Sequence, residues 1–192
     1  YWSLYLIYFV LLIGKLTGQL SKKYEQQMLL RLKNRKQWWM EIHLKIWLEC
    51  MGYLAVTAIA FLVFSFCTKS AVEGINLELL KDYLGLESNK NNFRIFSMVL
   101  VFFVALLALT YIQYIVSLAI NAVTGILVSI VILISSVYQI HLFLIGNYFM
   151  CMRQMMFAMD DVGFLRQGAV SVGIIFFIAV IGYQILKRKD LF

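Results

Sequence analysis

The side chains whose types suggest metal chemistry lie in the segment MCMRQMMFAM, residues 150–159. Its five methionines and Cys151 are soft sulfur donors, which are ligands that Cu(I) prefers. Four of the methionines also follow the three- and four-residue spacing of one helical face: Met152, Met155, Met156 and Met159. Because methionine fills irregular apolar surface well, we interpret the segment as a short helix lying in the outer membrane interface. We therefore predict no metal site on this chain.

The ionisable residues do not suggest a catalytic set. His43 and His141 are predicted to lie on opposite sides of a membrane, so they cannot share a zinc ion. The pair GK at residues 14–15 lacks the upstream glycine and the following hydroxyl of a nucleotide-binding P-loop. Glu49, near the start of an apolar run, is interpreted as an interfacial residue close to Lys45 rather than as an intramembrane catalytic group. We predict that the chain is not an enzyme and has no ATP site or other cofactor of its own.

The densest positive charge lies in RLKNRKQWWMEIHLKIWLE, residues 31–49, which holds five basic residues and three tryptophans. Lys and Arg are retained on the cytoplasmic side of a membrane, and tryptophan favours the level of the lipid head groups. Contact with membrane lipid therefore explains the composition of this stretch. A short basic turn would fix the orientation of the helices in the membrane equally well. Orientation therefore does not explain why the polar region extends over residues 15–45. We therefore predict a cytoplasmic docking surface for a soluble partner protein.

A set of polar residues recurs every three or four positions in an otherwise apolar part of the chain: Thr110, Gln113, Ser117, Asn121 and Thr124. Such spacing places side chains along one side of a helix. Two uses are compatible with it, namely lining a conduit for a transported molecule and hydrogen bonding between helices. The second use is the commoner one in membranes and is favoured, but the sequence leaves both open.

The elements that position these residues are membrane helices. The 192 residues are 62% hydrophobic and 14% charged, whereas about a quarter of the residues in a soluble domain are charged. Four long apolar runs cover residues 46–67, 95–116, 122–140 and 168–186, and a fifth covers residues 1–14. A transmembrane helix needs about 20 mainly apolar residues, and these runs are continuous rather than alternating as in strands. The predicted fold class is therefore all-α, a polytopic α-helical membrane protein with five visible transmembrane helices.

The distribution of charge predicts the orientation of these helices. Residues 15–45 hold eight Lys and Arg against two acidic residues, whereas residues 68–94 hold four of each and residues 141–167 two of each. The first of these loops and the basic C-terminus are therefore expected in the cytoplasm. This leaves Tyr1 outside, so a preceding helix is expected, giving six in the intact chain. We predict one transmembrane domain, 1–192, in the plasma membrane, with spans at about 1–20, 46–67, 95–116, 122–140 and 168–186, a cytoplasmic coupling region 21–45, and outer loops 68–94 and 141–167.

Three segments resemble parts of the permease subunits of ABC exporters of the ABC-2 type. LLRLKNRKQWWMEIHLKIW, residues 29–47, resembles the cytoplasmic stretch between the second and third helices of that family. LFLIGNYFMCMRQ, residues 142–154, resembles the outer segment between helices five and six. GYQILKRKDLF, residues 182–192, resembles the basic C-terminal end. The likeness extends over nearly the whole chain, and the departure from the family is the absent first helix.

The resemblance implies that the chain is the membrane subunit of an ATP-driven exporter, with ATP and Mg bound by separate ABC ATPase subunits. Two permeases, either two copies of one chain or a chain and its homologue, would form the transmembrane pathway. The residues that the resemblance assigns to ATPase coupling are Arg31, Asn34, Arg35, Lys36, Trp38 and Trp39. Permeases with this kind of sequence are similar to bacterial exporters of bacteriocins and to self-protection pumps. The expected cargo is therefore an amphipathic peptide or a lipid-like molecule.

Two other functions stay open. A non-transporting membrane anchor or assembly subunit would use the same basic region to recruit its partner. A self-sufficient secondary carrier commonly has helices broken by Gly or Pro and buried charges, whereas this chain has no proline. Nucleic acid is not expected as a partner.

Overall fold

The computed structural model describes residues 2–19, 35–67, 91–150, 153–154 and 163–188. Over these residues the chain forms α-helices and one short 3-10 helix, with no β-strand in the described parts. The elements are α1 (Trp2–Gln19), α2 (Arg35–Cys67), α3 (Asn91–Ala119), α4 (Ala122–Tyr138), the 3-10 helix (Ile145–Phe149) and α5 (Gly163–Arg188). The prediction of an all-α chain is confirmed for these residues.

Three of the described helices are long and apolar enough to cross a membrane. The apolar stretches are Trp39–Phe64 in α2, Ser97–Ala119 in α3 and Gly163–Ile185 in α5, with 26, 23 and 23 residues. At 1.5 Å per residue, each exceeds the hydrocarbon thickness of about 30 Å. The apolar stretches of α1 and α4, Leu4–Lys15 and Ala122–Tyr138, are shorter. The number of five spans therefore stays a prediction.

Helix α3 is the centre of the bundle. It packs along α5 and α4 and also contacts α1, α2 and the 3-10 helix. As a result 61% of its apolar stretch is buried, whereas the value is 12% for α2 and 11% for α5. The outward faces of α2 and α5 therefore present apolar side chains to the surroundings, as expected for helices in contact with lipid.

Side-chain contacts show which helix ends lie together. At one end, Trp39 of α2 and Ile115 of α3 both lie close to Gly182 of α5. At the opposite end, Phe102 of α3 packs on Phe149 of the 3-10 helix, with a distance of 5.3 Å between ring centroids. We call these the Trp39 end and the Arg153 end, after the residues described below. Helices α3, α4 and α5 therefore run in alternating directions between the Arg153 end and the Trp39 end.

Helix α2 includes both the predicted span and the second part of the predicted coupling region. The coupling region was placed at 21–45 and the span at 46–67, whereas α2 is continuous from Arg35 to Cys67. The physical reason is a buried stripe that crosses the predicted boundary, because Ile42, Ile46 and Cys50 recur every four residues and all face the core. The second half of the predicted coupling region is therefore the beginning of a membrane-length helix.

Helix α5 contains the predicted span 168–186 and extends beyond it at both ends. The helix begins at Gly163 rather than near residue 168. Its added first turns include Gln167, which is fully buried and donates a hydrogen bond from Nε2 to the backbone oxygen of Gln154 at 2.9 Å. A buried amide with a partner is compatible with an apolar helix, so the polar residue does not end it.

Candidate functional site

The predicted coupling residues lie at and before the beginning of α2. Arg31 and Asn34 fall outside the described residues. Arg35, Lys36 and Trp38 lie in the first turns of α2, where the structure describes the helical backbone. Trp39 is the coupling candidate whose side chain is described. The structure therefore places four of these six candidates on one helix end.

Trp39 packs inward, on a cluster of ring side chains at the Trp39 end. Its ring centroid lies 4.6 Å from that of His43 and 6.4 Å from that of Tyr183 in α5. His43 in turn meets Tyr111 of α3 edge-on at 5.2 Å. We call Trp39, His43, Tyr111 and Tyr183 the Trp39 cluster. It connects α2, α3 and α5 within the membrane-length part of the bundle.

Gly182 makes the close approach of α2 and α5 possible. A Cβ atom at this position would lie 2.6 Å from Cη2 of Trp39 and would also meet the side chain of Ile115. Real Cβ atoms essentially never come this close to another heavy atom. Because Gly182 has no side chain, the Trp39 ring packs directly against the α5 backbone. Sequence reasoning missed both His43 and Gly182, although His43 follows Trp39 by one helical turn.

Three of the five predicted pathway residues lie inside the bundle and are buried. Gln113 donates from Nε2 to the backbone oxygen of Val10 in α1 at 2.8 Å. Thr110 donates to the backbone oxygen of Leu106 at 2.8 Å, and its hydroxyl lies 3.4 Å from Sγ of Cys50 in α2. These contacts connect α3 with α1 and α2. They favour hydrogen bonding between helices over the lining of a conduit.

The remaining residues of that set act within the α3–α4 hairpin. Ser117 donates to the backbone oxygen of Gln113 at 2.7 Å. Asn121 caps the beginning of α4, since its Oδ1 accepts from the backbone N of Thr124 at 2.7 Å and from its hydroxyl at 2.8 Å. The five residues therefore do not share one environment, because Ser117 is buried and Asn121 is exposed.

The Arg153 end contains a polar network centred on one guanidinium. Arg153 donates to the backbone oxygens of Ser136 and Val137 at the end of α4, the latter at 2.8 Å, and to Oδ1 of Asn147 at 2.6 Å. The amide of Asn147 is buried and donates to the backbone oxygens of Gln139 and His141 at 3.2 and 3.0 Å. A positive charge at a helix C-terminus is stabilising. Arg153 therefore caps the C-terminal end of α4 and stabilises the segment that connects α4 to the 3-10 helix.

The same region is joined to α5 through two glutamines. Gln154 donates to the backbone oxygen of Tyr148 and accepts through its own backbone oxygen from Gln167. The hydroxyl of Tyr148 donates to the backbone oxygen of Leu142. Burial raises the pKa of Tyr148 to about 12, while the positive charge of Arg166 acts in the opposite direction. The phenol is therefore a neutral donor at physiological pH, and the Arg153 network connects α4, the 3-10 helix and α5.

The described residues do not group metal ligands. No group of three His, Cys, Asp or Glu residues that could hold a metal ion occurs among them. His43 lies in the Trp39 cluster, whereas His141 follows α4 at the Arg153 end. Most of the methionine-rich segment 150–159, including Cys151, lies outside the described residues. Cys50 and Cys67 are free thiols, the first buried and the second exposed.

Comparison with known proteins adds no relative. The chain matches no family model, no curated protein and no solved structure. What the fold defines is an all-helical chain with three membrane-length helices in its described parts. The resemblance to ABC-2 permeases therefore stays an expectation from three segments of the sequence.

Proposed function

We propose that this chain is the permease subunit of an ATP-driven ABC exporter, situated in the plasma membrane with its C-terminus in the cytoplasm. The observation that supports this most is the continuity of α2, which begins at Arg35 in the predicted docking region and extends through a membrane-length stretch to Cys67. A rigid helix that begins at a docking surface and ends across the membrane transmits displacement along its whole length.

The Trp39 cluster gives this displacement a route into the bundle. A partner ATPase would bind ATP and Mg and would contact residues 31–39, as the family resemblance implies. Movement of the α2 N-terminus would then shift Trp39 against Gly182 and Tyr183 of α5, because no side chain separates the Trp39 ring from the α5 backbone. Closely packed interfaces respond to such a shift by moving between discrete arrangements rather than by continuous deformation. ATP-driven closure would therefore re-pack α2 against α5.

The cargo would pass at the boundary of the subunit rather than through the described core. Thr110, Gln113 and Ser117 all donate hydrogen bonds to helix carbonyls within the described bundle. The outward faces of α2 and α5 are apolar, with exposed side chains such as Phe64 and Phe176. An amphipathic peptide or a lipid-like molecule is chemically suited to such a surface.

A non-transporting membrane anchor is the second candidate function. The observation that favours it is that Gln113 bonds to Val10 of α1 and Thr110 lies against Cys50 of α2, since an anchor needs packing between helices and no pathway. Both functions require a partner at the Trp39 end, but only the exporter requires that partner to hydrolyse ATP in step with movement of cargo.

Reversing the charge at the beginning of α2 tests the docking surface. The double variant Arg35→Glu and Lys36→Glu is expected to lose a P-loop ATPase that co-purifies with the unaltered chain, by at least about tenfold, since two charge reversals at an interface cost several kcal/mol. The measurement is quantitative mass spectrometry of the affinity-purified protein in detergent, with its elution volume as the check on folding.

The matched control exchanges the two basic residues, Arg35→Lys with Lys36→Arg, which keeps the charge and should keep the ATPase. If no P-loop ATPase accompanies the unaltered chain, the exporter function is wrong. If the ATPase is present and unaffected by the double reversal, the function stands but the docking surface lies elsewhere.

A further inference from the structure

Three buried side chains near the beginning of α5 each hold an oxygen atom that has no hydrogen-bond partner. Gln154 is 2% exposed, and Gln167 and Ser171 are fully buried. Within the residues that the structure describes, no group donates to Oε1 of either glutamine, and Oγ of Ser171 has no partner either. Buried polar atoms are almost always hydrogen-bonded, so these three oxygens indicate a ligand. We call Gln154, Gln167 and Ser171 the Gln167 cluster.

The hydrogen bonds of the two glutamines fix the orientation of their amide groups. Nε2 of Gln154 donates to the backbone oxygen of Tyr148, and Nε2 of Gln167 donates to the backbone oxygen of Gln154 at 2.9 Å. A backbone oxygen can only accept, so exchanging the O and N atoms of either amide would place two acceptors against each other. Each glutamine therefore presents to the cluster an oxygen that can only accept.

The hydroxyl of Ser171 supplies the complementary donor. Ser171 follows Gln167 by four residues, so the two side chains are neighbours on the same side of α5. Three other buried hydroxyls, those of Thr110, Ser117 and Ser136, each donate to the backbone oxygen four residues earlier. Ser171 forms no such bond in the described helix. Its hydroxyl hydrogen is therefore available to a ligand of the cluster.

We propose that the Gln167 cluster binds one water molecule, which donates to Oε1 of Gln154 and to Oε1 of Gln167 and accepts from Oγ of Ser171. A buried water typically forms about three hydrogen bonds to otherwise unpaired polar groups. This arrangement uses both hydrogens of the water and one of its lone pairs, and it gives each of the three oxygens a partner. The site goes beyond the proposed function, because it would join the beginning of α5 to residues 153–154 in an exporter and in an anchor alike.

A metal cation is a less suitable ligand for the same oxygens. The cluster contains no carboxylate, and Arg166 directly precedes Gln167 in α5. The positive charge of Arg166 acts on Tyr148, whose backbone oxygen binds Gln154. A bound cation would therefore meet a like charge without an anionic ligand to offset it, whereas water is neutral.

The variant Ser171→Ala tests the water through the sign of its effect. It is expected to raise the equilibrium constant of unfolding about threefold, because alanine cannot donate to the water. If no water is bound, the substitution removes a buried hydroxyl that has no partner, and the chain should be as stable as before or more stable. The constant is measured by reversible unfolding of the purified chain with dodecyl sulfate, followed by circular dichroism.

Combining this variant with Gln167→Met tests whether the two side chains share the water. Gln167→Met removes one of its acceptors, so adding Ser171→Ala should then have little further effect. The loss of the bond from Gln167 to Gln154 is common to both sides of this comparison and cancels. If Gln167→Met does not fold, the sign of the Ser171→Ala effect decides alone.

The matched control replaces Gln167→Met by Gln113→Met. Gln113 is also a fully buried glutamine whose Oε1 has no partner in the described bundle, but it lies in α3 close to Ile115 at the Trp39 end. Ser171→Ala should keep its threefold effect in this background, since distant substitutions are additive.

Three results would overturn the water site. The first is a Ser171→Ala variant that is as stable as the unaltered chain or more stable. The second is an effect of Ser171→Ala that Gln167→Met leaves unchanged or that Gln113→Met abolishes equally. The third is a stabilisation by sodium chloride relative to choline chloride that Ser171→Ala abolishes, which would assign the three oxygens to a cation instead.

Discussion

A Gly125→Ala variant is expected to be less stable than the unaltered chain by about 1–3 kcal/mol, the usual effect of forcing extra atoms into a packed core. A Cβ atom at Gly125 of α4 would overlap Oγ of Ser117 and would lie 2.6 Å from the backbone oxygen of Gln113. These two atoms form a hydrogen bond of 2.7 Å in α3. Because the Gln113 oxygen belongs to the helix backbone, α3 and α4 can make room only by moving apart.

The matched control for this variant is Gly52→Ala. The new Cβ atom at Gly52 meets no atom within 4 Å, so only helix propensity acts there, and alanine is favoured over glycine by about 1 kcal/mol. Both variants are compared by far-ultraviolet circular dichroism during unfolding in detergent. The expected order of stability is Gly52→Ala at or above the unaltered chain and Gly125→Ala below it. Equal stability of the two variants would contradict the close contact between α3 and α4.

Replacing Arg153 by methionine is expected to destabilise the Arg153 end by about 3 kcal/mol. The substitution keeps an unbranched side chain but removes the donor to the backbone oxygens of Ser136 and Val137 and to Oδ1 of Asn147. A buried polar group left without its partner costs about 1–3 kcal/mol. Loss of the positive charge at the end of α4 adds up to about 1 kcal/mol.

The matched control here is Arg153→Lys, which keeps the charge but lacks the fork of donors that reaches several acceptors. It should lie between the methionine variant and the unaltered chain. Hydrogen exchange measured by mass spectrometry should show faster exchange at residues 145–149 in the methionine variant, while α3 stays protected. Unchanged exchange at 145–149 would show that Arg153 does not hold this connection in place.

The local chemistry of the chain explains why its helices could be predicted. Continuous apolar runs separated by polar segments indicated helices, and the run predicted from residue 122 agrees with the beginning of α4 at Ala122. The role of Asn121 as the cap of α4 was not predicted. The spacing of Thr110, Gln113 and Ser117 correctly placed these residues on one helix. Hydrogen bonding between helices was the favoured interpretation of this set. In the described bundle Gln113 donates to Val10 of α1, whereas Thr110 and Ser117 donate to backbone oxygens of α3 itself.

The parts that sequence reasoning missed are contacts between residues that are distant in the chain. Gln113 bonds to Val10 and Trp39 lies against Gly182, and no periodic pattern connects these positions. The continuity of α2 from Arg35 to Cys67 depends on a buried stripe that includes Ile42, and the distribution of charge along the sequence does not show this stripe. Arg153 was counted only among the charges of the predicted outer loop 141–167. No neighbouring residue in the sequence indicates that its side chain reaches the end of α4.

The proposed exporter function requires that the beginning of α2 lies on the cytoplasmic side of the membrane. In a chain freed of its native cysteines, Gln37→Cys and Tyr138→Cys introduce thiols at exposed positions near the Trp39 end and the Arg153 end. A membrane-impermeant maleimide added to intact cells should label position 138, and it should label position 37 only after the cells are permeabilised. Labelling of position 37 in intact cells would contradict a cytoplasmic docking surface, and with it the exporter function.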